Sequence, residues 1–301
     1  MTDTKVAFIG VGAMGGPMAQ RVHEAGFGLV ACDISEASLE PFARQGIRVT
    51  NRAADCAGCD VAILMVATFE QAHGVLFGPA GLLSAPSEKR PSIVILMGTV
   101  SPKAVRDIAR DLAPFGIGVI DAPVSGGIVK AREGTLAIIM GGEAEHCERV
   151  EPLLRSMGSR LFHCGPVGAG QVTKIVNNAI GIANIMISAE AYRIALDNGL
   201  GLDDFVPVIE AGSGRNFFTA STRDAPEAYA AWAPTLPAFH SLQSILRKDI
   251  DLALSIGEGS GDLPMIAALR KALEDVGTGT FETWRRVVEA ADDVPRDGAD
   301  A

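Results

Sequence analysis

Short apolar runs alternate with amphipathic stretches over the first half of the chain. The apolar runs predict strands at residues 5–9, 29–32, 47–49, 61–66, 93–97 and 119–120. Helical patterns begin between these runs, near Ser35, Glu70 and Pro102. Such regular alternation predicts right-handed βαβ crossovers and a parallel sheet, so the expected fold class is α/β with an N-terminal Rossmann-type domain. Closing strands are expected at 136–140 and 160–164, around a helix near 145–157.

The pattern changes in the stretch from Gly165 to Asp197. After a glycine-rich entry, no proline or charge run interrupts this stretch, which predicts one helix of about 28 residues and roughly 40 Å. Because residues 175–186 are apolar on nearly every face, we expect protein to cover most of that helix. The remainder predicts helices at 203–211, 236–254 and 263–276, without a strand signal.

Two domains are therefore expected. The parallel-sheet domain spans residues 1–165, and residues 166–301 supply the interdomain helix and an all-helical domain. The acidic end, about residues 291–301, is expected to be disordered because it offers little apolar surface to bury.

Composition narrows the class of protein. The 301 residues are 48% hydrophobic and carry a net charge of −10, which fits a soluble globular chain with a large core. No cluster of Lys and Arg is dense enough to neutralise several phosphates, so nucleic acid is not an expected partner. No run of 18 apolar residues lacks glycine or charge, and the N-terminus enters a strand directly. We therefore expect a cytoplasmic protein without a membrane segment.

The five cysteines form an odd, scattered set, which favours reduced thiols over a disulfide framework. Only Cys56 and Cys59 have the CxxC spacing of a redox or zinc motif. A zinc site needs a second pair of ligands, and none is suitably spaced. No metal is expected, and structural thiols are the favoured interpretation.

A glycine-rich turn follows the first predicted strand and opens a helix. The expected dinucleotide contacts in this turn are Gly10, Gly12, Ala13, Met14 and Gly15. Gly10 permits the turn, Gly12 lets a pyrophosphate approach the backbone, and Gly15 lets the helix pack against the strand. Asp33 ends the next apolar run at the spacing expected of an acid that accepts from the adenosine ribose. The alternative is a simple glycine turn.

Loops after other strands should meet at the same edge of the sheet. Thr68 and Thr99 lie in two such loops and are expected on the nicotinamide side; alternatively, Thr99 caps the helix at Pro102. Ser125, Gly126 and Gly127 follow a further strand, and their backbone N–H groups suit a carboxylate. A glycine turn at a domain edge is the alternative for these three.

Lys174 stands near the start of the long apolar helix. Burying an ammonium is costly and lowers its pKa, so a buried lysine usually has a partner or a task. Asn177 and Asn178 lie on the same helix face and are able to hold the ammonium or a substrate hydroxyl. The alternative is a lysine that reaches solvent along the helix end. Further on, Lys248 and Asp249 form either a site element or a surface ion pair.

With these residues in view, the chain resembles the β-hydroxyacid dehydrogenase family over roughly residues 4 to 285. Four segments carry the resemblance: GVGAMG at 10–15, DAPVSGG at 121–127, the stretch from Gly168 through Lys174 to Asn178, and KDIDLA at 248–253. The resemblance implies that Lys174 is the catalytic acid or base. It further implies that Ser125, Gly126, Gly127 and Asn178 contact substrate, and that Thr99 and Lys248 contact the cofactor.

The expected activity is hydride transfer between NAD and the hydroxyl of a small hydroxy acid, in a homodimer or homotetramer. Asp33 should repel a 2′-phosphate, so NAD is expected over NADP. Two alternatives remain open. An imine reductase shares this architecture but usually carries aspartate or tyrosine in place of Lys174, and a non-catalytic NAD-binding module would not need Lys174. 6-Phosphogluconate dehydrogenase would require a basic cluster that is absent from the sequence.

Two segments depart from the family pattern and leave the hydroxy acid open. Residues 96–99 lack the usual aspartate and serine, and residues 213–218 lack the serine–tryptophan pattern. The run at 75–78 with Gly81 favours sugar-acid members. The expected substrate is a sugar acid such as L-threonate, or an acid similar to 3-hydroxyisobutyrate or glycerate. If Arg215 and Asn216 line the pocket, L-threonate should exceed 3-hydroxyisobutyrate as substrate. Alternatively, Arg215 faces solvent while Phe217 and Phe218 fill the helical core.

Overall fold

The computed structural model describes residues 4–259 and 261–292. The chain divides into two compact units, Met1–Lys174 and Ile175–Ala301. The sequence predicted the boundary at 165/166, before the long helix, whereas the division falls within that helix. Its first turns therefore belong to the first unit.

A six-stranded parallel sheet forms the centre of the first unit. Its strands are β1 (Lys5–Ile9), β2 (Gly28–Cys32), β3 (Arg48–Thr50), β4 (Val61–Leu64), β5 (Ile93–Leu96) and β6 (Gly118–Asp121), in the order β3-β2-β1-β4-β5-β6. The intervening helices are α1 (Gly15–Glu24), α2 (Glu36–Arg44), α3 (Phe69–Phe77) and α4 (Pro102–Leu112). Alternate residues of β4 and β5 enter two separate hydrophobic clusters, because successive side chains point to opposite faces of a sheet that is covered on both sides. The predicted Rossmann-type parallel sheet is confirmed.

A second, smaller sheet completes the first unit. It contains β7 (Val124–Ser125), β8 (Ala137–Met140) and β9 (Arg160–His163), together with α5 (Gly127–Glu133) and α6 (Ala144–Arg155). β8 and β9 were predicted as closing strands; they pair with each other, and β8 also pairs with β7, rather than extending the main sheet. One antiparallel bridge, between Asp121 and Gly141, links β6 to the end of β8.

The long predicted helix is present as α7 (Ala169–Asp197), a helix of 29 residues. The expected burial on several sides is wrong for the single chain. Val176, Ile180, Ile187 and Ile194 are 50–62% exposed, and they recur at helical spacing along one face. Among the described residues, α7 is also the one helix long and apolar enough to cross a membrane by length and composition, a test that core helices of soluble proteins also pass.

The second unit is helical. After α7 come α8 (Leu202–Ala211), α9 (Asp224–Trp232), α10 (Leu236–Gly257), α11 (Pro264–Asp275) and α12 (Thr278–Asp292). The sequence predicted α8, α10 and α11 but not α9 or α12. An aromatic cluster fills the core: the rings of Tyr229 and Trp284 stack at 4.5 Å, and Phe239 meets Trp284 edge-on at 5.1 Å. Because α12 ends at Asp292, residues 291–292 of the predicted disordered tail are helical; residues 293–301 lie outside the described range.

Candidate active site

The glycine-rich turn that joins β1 to α1 contains two positions, Gly10 and Gly15, where only glycine fits. Gly10 has a φ of 91°, and a Cβ there would collide with the Met65 carbonyl oxygen. A Cβ on Gly15 would collide with the Gly10 carbonyl oxygen, whereas a Cβ on Gly12 would meet no atom within 4 Å. The turn is thus tightly packed at Gly10 and Gly15 and open at Gly12, which fits the approach of a pyrophosphate to the backbone.

Asp33 follows β2 and is bonded to the same turn. One carboxylate oxygen accepts the Val11 amide at 2.8 Å and the other accepts the Ser35 amide at 2.9 Å. Each oxygen retains a second lone pair, and the side chain is only partly buried. Asp33 therefore fixes the turn and can still accept hydrogen bonds from ribose hydroxyls. The open turn and this carboxylate together fit a dinucleotide.

The loops after β4 and β5 lie backbone to backbone, because a Cβ on Gly98 would collide with the Val66 carbonyl oxygen. Thr68 is exposed and caps α3: its hydroxyl accepts the Gln71 amide at 3.2 Å in a capping box. Thr99 is partly buried, and the suggestion that it caps α4 is wrong, since Ser101 accepts the Ala104 amide at 3.1 Å. The predicted cofactor contacts of Thr68 and Thr99 remain predictions.

Ser125, Gly126 and Gly127 form the turn between β7 and α5. Gly126 has a φ of 137° and Gly127 a φ of 70°, conformations that favour glycine. A Cβ on Gly126 would lie 2.8 Å from side-chain atoms of Lys130. The glycine turn is thus established, and its use as a carboxylate site remains a prediction.

Lys174 is buried in α7, with 8% of its surface exposed. The start of this helix is held by Asp121, the last residue of β6, which is fully buried. Its two carboxylate oxygens accept the Gly168 amide at 2.6 Å and the Gln171 amide at 2.7 Å. Burial raises the pKa of the Asp121 carboxyl above its usual range, and these amide donors oppose the shift by stabilising the ionised form.

Gln171 connects the same helical turn to the loop of Thr99. Its side-chain Nε2 donates to the Gly98 carbonyl at 2.8 Å, and its Oε1 accepts the Val100 amide at 3.1 Å. Sequence reasoning missed the roles of Asp121 and Gln171. The available signals were a carboxylate at the end of a buried strand and an amide three residues before Lys174 in an apolar helix.

Asn178 and Lys248 belong to the second unit, where both are associated with Asp249. The Asn178 amide donates to Asp249 Oδ2 at 2.6 Å, and Lys248 Nζ lies 3.2 Å from Asp249 Oδ1. Asp249 is buried, whereas the Lys248 side chain is 40% exposed. The pair is therefore more than a surface ion pair, because its carboxylate also holds the amide of a predicted substrate residue.

Residues 213–218, which the sequence predicted to place polar groups in the substrate pocket, form most of their hydrogen bonds within their own segment or with nearby residues. Arg215 is exposed and lies 3.2 Å from Glu210. The Asn216 side chain accepts the Phe218 amide at 2.8 Å and donates to the Gly214 carbonyl at 3.0 Å. Phe218 is in the core and Phe217 is exposed, so the alternative holds for Arg215 and Phe218 but not for Phe217.

In the part of the chain that the structure describes, thiols and potential metal ligands form no further centre. Cys32, Cys56, Cys59 and Cys147 are free and buried, and Cys164 is free and exposed. Within residues 4–259 and 261–292, no group of three or more His, Cys, Asp or Glu side chains is arranged to hold a metal ion.

Comparison with known proteins agrees with this geometry. Residues 5–165 match the family model for the NAD binding domain of 6-phosphogluconate dehydrogenase, and residues 168–282 match the model described as NAD-binding of NADP-dependent 3-hydroxyisobutyrate dehydrogenase. The chain is 33% identical to 3-hydroxyisobutyrate dehydrogenase of Pseudomonas aeruginosa, covering 91% of both chains. It is 32% identical to the NAD-dependent L-serine dehydrogenase of the same organism, covering 89% of this chain and 90% of the relative.

A solved structure is similar over nearly the whole length. The 3-hydroxyisobutyrate dehydrogenase of Mycobacterium tuberculosis with L-serine superimposes with a TM-score of 0.77 at 26% identity, covering 96% of this chain and 99% of that one. The two family models together cover both halves of the chain, and the curated relatives span about nine-tenths of it. The chain belongs to the β-hydroxyacid dehydrogenase family and is an NAD(P)-dependent dehydrogenase that acts on CH–OH groups.

Proposed function

We propose that the protein transfers hydride between NAD and the primary hydroxyl of a small 3-hydroxy acid, with Lys174 as general acid and base. The observation that carries the proposal is the burial of Lys174, about one helical turn after Gln171. The side-chain amide of Gln171 is hydrogen-bonded to Gly98 and Val100, the two neighbours of Thr99 in the chain. A lysine in such a place is far more constrained than one at a solvated helix end.

Proton transfer is the step assigned to the chain itself. Bound NAD supplies the hydride acceptor. In the direction of oxidation, neutral Lys174 takes the proton of the substrate hydroxyl; in reduction, its ammonium polarises the carbonyl and donates that proton. Asn178 lies four residues on in α7, and its amide, held by Asp249, is assigned to the substrate.

The substrate class follows from what two named relatives have in common. The names of these relatives specify 3-hydroxyisobutyrate and L-serine, and both compounds have the form HOCH2–CHR–COO⁻. We assign the carboxylate to the turn of Ser125, Gly126 and Gly127. Arg215 and Asn216, the residues on which the preference for L-threonate was based, are bonded to nearby groups instead. The preferred substrate should therefore be a compound of this shared form.

Assembly is a further part of the proposal. The protein is proposed to be a cytoplasmic homodimer or homotetramer. The exposed apolar face of α7 at Val176, Ile180, Ile187 and Ile194 supports the assembly, since large apolar patches on soluble proteins usually mark interfaces. Light scattering should give a mass above one chain. The double variant Ile180→Glu, Ile187→Glu should lower that mass, and Val208→Glu, a change at another exposed apolar residue, should not; a wild-type monomer would contradict the proposal.

The experiment that tests the function follows NADH absorbance with 3-hydroxyisobutyrate, L-serine, D-glycerate and L-threonate. At least one of the first three should exceed L-threonate in kcat/KM. Lys174→Ala should lower kcat by about 10² or more, with little change in NAD affinity. Lys103→Ala, which removes an exposed lysine of α4, is the matched control. No turnover of any of the four acids, or near-normal kcat in Lys174→Ala, would contradict the proposal.

A further inference from the structure

The start of α7 is fixed by a residue far away in sequence. The first N–H groups of a helix have no partners within the helix and are usually capped by a neighbouring side chain. Here the residues before α7 include Gly168, which has no side chain to offer. Asp121, 47 and 50 residues earlier, accepts the amides of Gly168 and Gln171 instead. The main sheet therefore determines where α7 begins.

The space around Asp121 is closed by two glycines. A Cβ on Gly141 would lie 2.6 Å from one Asp121 carboxylate oxygen, and a Cβ on Gly170 would lie 2.8 Å from the other. Gly141 also exchanges two backbone hydrogen bonds with Asp121, at 2.9 and 2.7 Å. The carboxylate is thus enclosed by backbone, with little room to shift without displacing the first turn of α7.

Gln171 fixes the same turn from another direction. It is fully buried, and both ends of its amide are used: Nε2 on the Gly98 carbonyl and Oε1 on the Val100 amide. No solvent is available to replace either bond, so a change at this position would separate the helix from the loop or leave buried groups without partners. The loop and the helical turn consequently move together.

Lys174 depends on this arrangement. It lies three residues after Gln171, and helical side chains lean towards the preceding turn. We propose, on the basis of the function proposed for Lys174, that Asp121 and Gln171 are positioning residues that hold the Lys174 amine in register with the loop of Thr99. Misplacement of a catalytic group by about 1 Å is able to cost roughly 10² in rate.

The test compares Gln171→Met with Gln243→Met. Gln243 is a buried glutamine of α10 whose Nε2 donates to the Val276 carbonyl, so both variants lose a buried amide of equal size. With the best substrate of the four acids, Gln171→Met should lower kcat by at least about tenfold. Its KM for the hydroxy acid and its KM for NAD should each change by less than about threefold. Its primary deuterium isotope effect on kcat should rise, because hydride transfer becomes rate-limiting. Gln243→Met should change neither kcat nor the isotope effect.

A conservative variant provides rescue. A buried carboxyl has a raised pKa, and a protonated Gln171→Glu side chain is able to donate to Gly98 and accept from Val100. In the reduction direction, its kcat relative to wild type should therefore rise as the pH falls, whereas that of Gln171→Met should stay constant. Similar kcat and isotope effects in Gln171→Met and Gln243→Met would overturn the positioning role alone. Near-normal kcat in Lys174→Ala would instead overturn the proposed function and this inference with it.

Discussion

Two buried carboxylates, Asp121 in the first unit and Asp249 in the second, are held in different ways. Asp121 accepts hydrogen bonds from the backbone amides at the start of α7. Asp249 accepts one from the side chain of Asn178 and lies next to the Lys248 ammonium. A carboxylate held by backbone determines where a helix begins, whereas one held by side chains determines how those side chains point. The first should control stability and the catalytic rate, and the second mainly ligand binding.

The largest effect is expected for Asp121→Asn. The new amide nitrogen would face a backbone N–H that needs an acceptor, so one buried donor loses its partner and the favourable interaction with the helix dipole is lost. The free energy of unfolding should fall by about 3 kcal/mol, measured by urea denaturation. The control Asp107→Asn, which removes a partly exposed carboxylate that pairs with Lys103 and Arg110 at the surface, should lower the free energy of unfolding far less than Asp121→Asn does.

Asp249→Ala should have a smaller effect on stability and a clear effect on binding. Removing the carboxylate frees the Asn178 amide to rotate, so KM for the hydroxy acid should rise by about tenfold while kcat changes less. The free energy of unfolding should fall by about 1–2 kcal/mol. A loss of stability equal to that of Asp121→Asn, with KM unchanged, would remove the distinction between the two carboxylates.

Asp33 sharpens the comparison, because it is held by backbone amides yet remains partly exposed. Such a carboxylate should serve a ligand as well as the turn that it holds. Asp33→Ala should therefore lower the ratio of kcat/KM for NAD over NADP by at least about tenfold, since the repulsion of a 2′-phosphate is lost. The ratio is obtained from initial rates with each cofactor, and an unchanged ratio would show that another residue discriminates.

The smallest effect concerns the five thiols, of which four are buried. Burial raises the pKa of Cys59 and of Cys147 to about 11, so at pH 8 almost none of either is the reactive thiolate. Cys164 is exposed. Brief treatment with iodoacetamide at pH 8 should label Cys164 first, as seen by peptide mass analysis, and Cys164→Ser should abolish the rapid phase. Rapid labelling of Cys147 would contradict this description of its surroundings.

The sequence was sufficient for features that depend on local pattern. The strands of the main sheet and the length of α7 follow from the spacing of apolar residues, and Gly10 and Gly15 from the demands of a tight turn. The contacts of Asp121 and Gln171 could not be predicted, because they join residues 47 to 73 positions apart. Local pattern also could not distinguish buried Phe218 from exposed Phe217, since the second unit offers no periodic signal in that loop.

The surface of α7 was mispredicted for a related reason. An apolar side chain is more stable when it is removed from water, but its sequence position does not show whether the same chain or another chain covers it. Ile180 and Ile187 remain exposed in the single chain, whereas Ile175 and Ile182 on the opposite side are buried in it. Both faces are apolar in the sequence, so the pattern alone does not show which of them is exposed.

Chemical rescue of Lys174→Ala by primary alkylamines of graded pKa tests the central claim most directly. If Lys174 is the general base, added amines should restore oxidation of the hydroxy acid. At equal concentration of free amine, the logarithm of the rescued rate should rise with amine pKa. Sodium chloride at matched ionic strength should restore nothing. Failure of every amine to raise the rate, or a rescue that is independent of amine pKa, would contradict the assignment of Lys174 as the group that carries the proton.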